Sequence, residues 1–232
     1  MSLLRGGIFA RTYRKILHKY YANDLWIDLC LAAKKDSINY ILENMQDAQV
    51  LLDRLALMDF ALKRICVDGL ILEFGVAKGE SIRFIARHTK EVVHGFDSFE
   101  GLPLDWRGTR DQRGKFSLKG GMPRVPSNVQ LHVGWFDQTL PAFLEKNTAN
   151  SALIHVDSDI YESAKTIFGK LASTIVPGTI ILFDEYFNYP GWRQHEYKAF
   201  KEFILASGLK YKYIGFSAER GQVAVQIESA AT

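Results

Sequence analysis

Five short apolar runs, "GLILEFG", "VVHGFD", "VQLHVGWF", "ALIHVD" and "TIILFDE", follow one another from Leu70 onward. Between and after them lie stretches with helical spacing at 80–89, 137–147, 161–175 and 195–207. Strands that are apolar throughout and separated by helices are the mark of a parallel sheet covered on both faces. The end of the chain reads differently: "KYKYIGFS" and "GQVAVQIES" flank the polar turn "AERG" and predict an antiparallel pair at the sheet edge. Upstream, residues 9–66 hold neither Pro nor Gly, and "YILENMQDAQVLLDRLALMDFALKRI" repeats its apolar positions every three to four residues, as amphipathic helices do. The predicted fold is α/β: a doubly wound, mostly parallel seven-stranded sheet with an antiparallel edge strand and an N-terminal helical extension. The division falls into an extension or lid at 1–66 and a sheet domain at 67–232. The extension holds more apolar surface than one sheet face needs, so it is expected to serve a homodimer or a lid.

A chain of 232 residues, 47% hydrophobic, can bury one sizeable core. Its formal charge of +3 is too balanced for a nucleic-acid binder. Cys30 and Cys66 form no CxxC pair and read as buried free thiols in a reducing, cytoplasmic setting. No apolar run reaches the roughly 18 residues of a membrane span. Arg5, Arg11, Arg14, Lys15 and Lys19 precede the first acid, Asp24, and read as a solvated basic helix, with a transit peptide or a surface-binding helix as the alternatives.

In an open parallel sheet the ligand sits beyond the carboxyl ends of the strands. "EFGVAKGES" follows the first strand: Gly75 and Gly79 allow a sharp turn close to a ligand, and a helix begins near Ser81. The spacing is not GxGxxG, and Glu73 suits an ammonium group better than a pyrophosphate. "GFDSFEG" follows the second strand and places Asp97, Ser98 and Phe99 there, with Asp97 22 positions after Gly75, near the separation of a ribose-binding acid. Trp135 and Phe136 follow the third strand. These residues, with Phe74 and Val76 in the first turn, outline a nucleoside pocket lacking a phosphate cradle, which S-adenosylmethionine fits. Asp157 and Asp159 close the fourth strand, and Asp184 and Glu185 the fifth. Neighbouring strands lie about 4.8 Å apart, so these carboxylates converge and need a cation, a proton or an ammonium group among them. Oxygen-only ligation suits Mg²⁺ or another hard divalent ion. The irregular stretch 101–127 reads as a lid or binding loop.

Taken together, "EFGVAKGES", "GFDSFEGLP", "GWFDQTLP", "HVDSDIYES" and "VPGTIILFDEY" resemble the macrocin O-methyltransferase-like branch of class I S-adenosylmethionine-dependent methyltransferases, over Leu70 to Ile227. The resemblance implies a Rossmann-like fold and Mg²⁺-dependent methyl transfer to a hydroxyl of a sugar or other small secondary-metabolite acceptor. It implies Asp157, Asp184 and Glu185 as metal ligands, Asp159 as base, and Glu73, Gly75, Asp97 and, in the block around them, Asp157 as neighbours of the cofactor. The branch has two aspartates where this chain has Asp184 and Glu185. The segment "NYPGWRQHEYKAF" also departs from it and introduces His195, a second candidate base or ligand, and Glu196. Two rivals are a nicotinamide oxidoreductase, for which Tyr161 and Lys165 offer a Tyr-xxx-Lys pair, and a cofactor-binding subunit without catalysis.

Overall fold

The computed structural model describes residues 24–229 together with Thr12 and Lys15; the basic N-terminal segment otherwise lies outside the described residues. Helix α1 (Leu25–Asn44) leads to a three-residue strand β1 (Gln49–Leu51) and helix α2 (Arg54–Leu62). Five strands follow, separated by helices except between β3 and β4, which the irregular 101–127 stretch joins: β2 (Leu70–Phe74), α3 (Glu80–Arg87), β3 (Val93–Asp97), β4 (Val129–Val133), α4 (Phe136–Leu144), β5 (Ser151–Val156), α5 (Tyr161–Leu171) and β6 (Ile180–Phe183). Helix α6 (Glu196–Ser207) and the hairpin β7 (Lys210–Ser217) and β8 (Val223–Glu228) follow.

One sheet has the order β1-β7-β8-β6-β5-β2-β3-β4. The doubly wound, mostly parallel architecture is present, with eight strands instead of seven. The additional one is β1, which pairs in parallel with β7 through Val50 and Phe216. The antiparallel strand is β8, and it is internal: it runs against both β6 and β7. A hairpin end had suggested an edge, but β8 inserts beside β6 and leaves β1 and β4 as the outermost strands.

The central strands are buried because both faces are covered. Leu72, Phe74, Phe96, Ile154 and Val156 pack with Phe168 and Phe200 from α5 and α6 on one face. On the other, Ile71, Val93, Leu153 and Ile180 pack with Leu57 and Met58 of α2 and Ile82 and Ile85 of α3. In register, Phe74 pairs with Val156, and Val156 with Phe183, so the chain leaves β2, β5 and β6 at one edge.

Candidate active site

Gly75 is where β2 turns away from the sheet. Its φ is +93°, and a Cβ there would meet the Asp157 carbonyl oxygen at 1.7 Å, so only glycine lets β2 and β5 end side by side. The turn that follows is held by Asp97 at the end of β3. One carboxylate oxygen accepts from the amides of Val76 (2.9 Å) and Ala77 (2.7 Å), and the other from the amide of Phe99 (2.7 Å). Three amide bonds fix Ala77 at a φ of +45° and Phe99 at +58°, conformations an L residue seldom adopts unaided.

Above these strand ends lies a cavity of about 520 Å³, within the range of small-molecule and cofactor sites. Its wall includes Gly75, Val76, Ser81, Asp97, Ser98, Trp135, Phe136, Asp157, Asp159, Asp184 and Glu185. The 101–127 stretch contributes Gly101, Leu102, Pro103 and Lys115–Leu118. Glu73, Phe74, Gly79, Phe99 and His195 are not on the wall. Glu73 is fully buried beneath it and accepts from Ser81 Oγ (2.9 Å) and His155 Nδ1 (3.2 Å). Phe74 stacks on Phe96 in the core. Glu73 and Phe74 point to opposite faces of β2, and both are interior because both faces of the sheet are covered; from β2 and its turn the wall begins at Gly75.

His195 also sits behind the wall. Its Nε2 donates to the carbonyl of Arg107 (2.8 Å), and its ring lies against Trp106 and Tyr189. Burial pushes its pKa down, so it is neutral, and the bond to Arg107 joins the 101–127 loop to α6. The neighbouring Glu196 has a more direct connection. Its Oε1 accepts from the amides of Ser158 (2.9 Å) and Asp159 (3.0 Å), and it is fully buried. That carboxylate holds Asp159 at a φ of +64°, so that its side chain joins the wall. Burial raises the Glu196 pKa to about 7, against the opposing pull of the Ser158 amide. Leaving two buried amides without an acceptor costs about 1–3 kcal/mol each, so Glu196→Leu is expected to lower unfolding free energy by roughly 2–6 kcal/mol. Glu196→Gln, which keeps an acceptor oxygen, is expected to lose less. Urea unfolding of the two variants measures the difference, and equal losses would remove the amide clamp as the cause.

The acids separate into two groups. Asp184 lies beside Arg54, whose Nε is 2.5 Å from its Oδ1, while Arg54 Nη2 is 2.9 Å from Asp157 Oδ2. His155 Nε2 is 3.8 Å from the same Asp184 oxygen. Burial alone would raise the Asp184 pKa, but the nearby protonated His155 and the charge of Arg54 outweigh it and hold the group ionised. Burial would likewise lower His155, yet Asp184 and Glu73 lift it to about 10, so it carries a proton at neutral pH. The second group is Asp157, Asp159 and Glu185, which each offer an oxygen within 4.8 Å of the others. All three pKa values are pushed well up, first by burial and then by neighbouring carboxylates. Glu185 Oε2 is buried with no hydrogen-bond partner. An oxygen-only set with a bare buried oxygen fits a hard divalent ion.

Arg54 carries no signal of its own in the sequence beyond one anomaly. It is the first residue of α2, after the Asp53 cap, where the helix dipole disfavours a cation. The Tyr161–Lys165 pair bonds Glu202 of α6 at the surface and is absent from the cavity wall, so it offers a nicotinamide nothing.

Residues 72–186 match the family model of the methyltransferase domain. The 8-demethyl-8-(2,3-dimethoxy-alpha-L-rhamnosyl)-tetracenomycin-C 4'-O-methyltransferase of Streptomyces olivaceus is 27% identical over 161 residues, covering 58% of this chain and 60% of that protein. Among solved structures, the calicheamicin methyltransferase CalS11 superposes over 95% of this chain and 93% of its own, with TM-score 0.64 and 21% identity. The O-methyltransferase NovP superposes over 76% and 79%, with TM-score 0.55 and 21% identity. Both likenesses speak to the fold. With the domain match, the strand-end pocket and the acid that ties its first turn, the chain belongs to the class I S-adenosylmethionine-dependent methyltransferases.

Proposed function

We propose that the protein transfers the methyl group of S-adenosylmethionine to a hydroxyl of a sugar or sugar-bearing small molecule. The observation that carries this reading is the placement of Asp157, Asp159 and Glu185 on the wall of the same cavity as the Gly75–Ser81 turn and Asp97. The relative from Streptomyces olivaceus is named for methylation at a 4' oxygen of a rhamnosyl compound. A structure of CalS11 describes it as a TDP-rhamnose 3'-O-methyltransferase. Both names favour a deoxysugar hydroxyl as the acceptor.

In this reading the cofactor lies across the β2 and β3 ends. Ser98 and Asp97 face its ribose, and Trp135 and Phe136 offer aromatic faces to adenine. Methyl transfer is an in-line displacement, so the work of the chain is to align the acceptor oxygen and receive its proton. Asp159, raised in basicity by burial and by Glu196, takes that proton. Asp157 and Glu185 are the residues that would hold Mg²⁺ beside it, with Asp184 drawn toward Arg54. Such an ion supplies Lewis acidity, which lowers the pKa of an acceptor hydroxyl. Lys115 on the wall gives an anionic portion of the acceptor, such as a nucleotide diphosphate, a partner. Cys30 is half-buried and Cys66 exposed, so the thiols are not buried as the sequence suggests, but both are free, which supports a cytoplasmic setting; among the described residues no helix is long and apolar enough to cross a membrane. Leu25, Leu29, Leu31, Ile38 and Leu42 are exposed along α1, which supports the homodimer reading.

Isothermal titration with S-adenosylmethionine is expected to show one site per chain, with NADH giving no heat. Incubation with labelled cofactor and a panel of deoxysugar nucleotides, glycosides and catechols is then expected to label a sugar hydroxyl. Label appearing only on the catechols would overturn the acceptor class while leaving the transferase standing.

A further inference from the structure

Arg54 is out of place by the usual rules of helix electrostatics and is held where it is by carboxylates. It opens α2, where backbone N–H groups already present positive charge, yet its guanidinium reaches across to the ends of β5 and β6. Asp157 and Asp184 sit on adjacent strands, since the amide of Asp184 donates to Val156, and their negative charges face one gap. A guanidinium spans such a gap because it is planar and wide: Nη2 donates to Asp157, while Nε forms a close ion pair with Asp184 without a hydrogen bond. Asp157 belongs to both acid groups: one oxygen meets Arg54, and it also counts among the three oxygens that suit a divalent ion.

We propose that Arg54 is a tethered cation that competes with a divalent ion for Asp157 and Asp184, so that the N-terminal extension sets how tightly the acid cluster holds metal. The inference rests on the reading of Asp157 and Glu185 as metal-holding residues. An ion on Asp157 loses one carboxylate oxygen to Arg54 and faces an extra positive charge beside it. When Arg54 leaves, both oxygens and the Asp184 carboxylate become available. Arg54 is also only three residues from β1, so loading the ion and loosening the extension are one event. The chain thereby includes its own brake on metal binding.

The test uses Mn²⁺ alone as the probe, with free Mn²⁺ followed by electron paramagnetic resonance at neutral pH, on full-length protein. Arg54→Gln is expected to bind Mn²⁺ at least tenfold more tightly than the parent. Arg54→Lys, which keeps the charge but not the fork, is expected to fall between them. In the parent, hydrogen exchange of 53–62 is expected to rise when Mn²⁺ is added, a response that a packing role for Arg54 would not give. A parent that binds no Mn²⁺ beside an Arg54→Gln variant that does would support the proposal and show the brake to be complete. Equal or weaker binding by Arg54→Gln would overturn it while leaving the metal reading intact. Binding by neither protein would overturn both, and the titration with S-adenosylmethionine would still report separately on the transferase. Should Arg54→Gln not fold, Arg54→Lys carries the same comparison, and no gain in it would overturn the proposal.

Discussion

Asp159→Asn is expected to lower methyl-transfer turnover by roughly 10²–10⁴-fold, the range in which a positioned general base contributes. The amide is nearly the same size and can still sit under the Glu196 clamp, since that clamp grips the backbone of Asp159 and not its side chain. What the variant loses is a group able to accept the hydroxyl proton. Asp157→Asn is expected to behave differently. It removes a carboxylate shared between Arg54 and the oxygen-only set, so the Mn²⁺ midpoint should shift to higher concentration, with turnover recovering as metal is added. Rate against metal concentration, measured for both variants after chelator treatment with an acceptor drawn from the sugar panel, tells them apart. Superimposable metal curves would end the division of labour between the two acids.

Asp97→Ala is expected to weaken S-adenosylmethionine binding by roughly 2–4 kcal/mol, or about 30- to 1,000-fold, because charge-assisted hydrogen bonds are lost on both sides of the carboxylate. A carboxylate has room for about four hydrogen bonds, and three are taken by the amides of Val76, Ala77 and Phe99. The remaining capacity is what a ribose hydroxyl can use. The larger part of the effect is therefore expected to come from a turn that no longer holds its shape, which raises the entropy cost of binding. Asp97→Asn retains an acceptor oxygen but points an N–H₂ at backbone donors, so it should fall between the two. Calorimetric dissociation constants for the three proteins measure this. A variant that binds like the parent would remove Asp97 from the cofactor site.

The sheet and the acids were readable because each depends on neighbours in sequence. An apolar run that ends in a carboxylate, as in "LIHVDSD" or "IILFDE", states its own position at a strand terminus. Asp157, Asp159, Asp184 and Glu185 accordingly lie together on the cavity wall. The features that escaped are set by distant partners. Strand β1 is three residues between two helices and exists only by pairing with β7. Arg54 reaches Asp157 across 103 positions, and no local pattern encodes that approach. Glu73 shows a third kind of difficulty. Its place before Gly75 was evident, but whether the carboxylate points into the pocket or under it depends on a single step of strand alternation at the turn. His195 was placed near the site for its neighbours, and the first turn of α6 sends its ring behind the wall while Glu196 reaches the Asp159 loop.

The pairing of β1 with β7 carries a consequence for how the protein is made. Val50 faces Phe216 in that register, so one of the earliest strands to leave the ribosome has no partner until nearly all the rest has been synthesised. The central strands can associate sooner, as each lies beside a neighbour supplied by the segments between β2 and β6. That pairing spans 166 positions, from Val50 to Phe216, and contacts of such high sequence separation are slow to form.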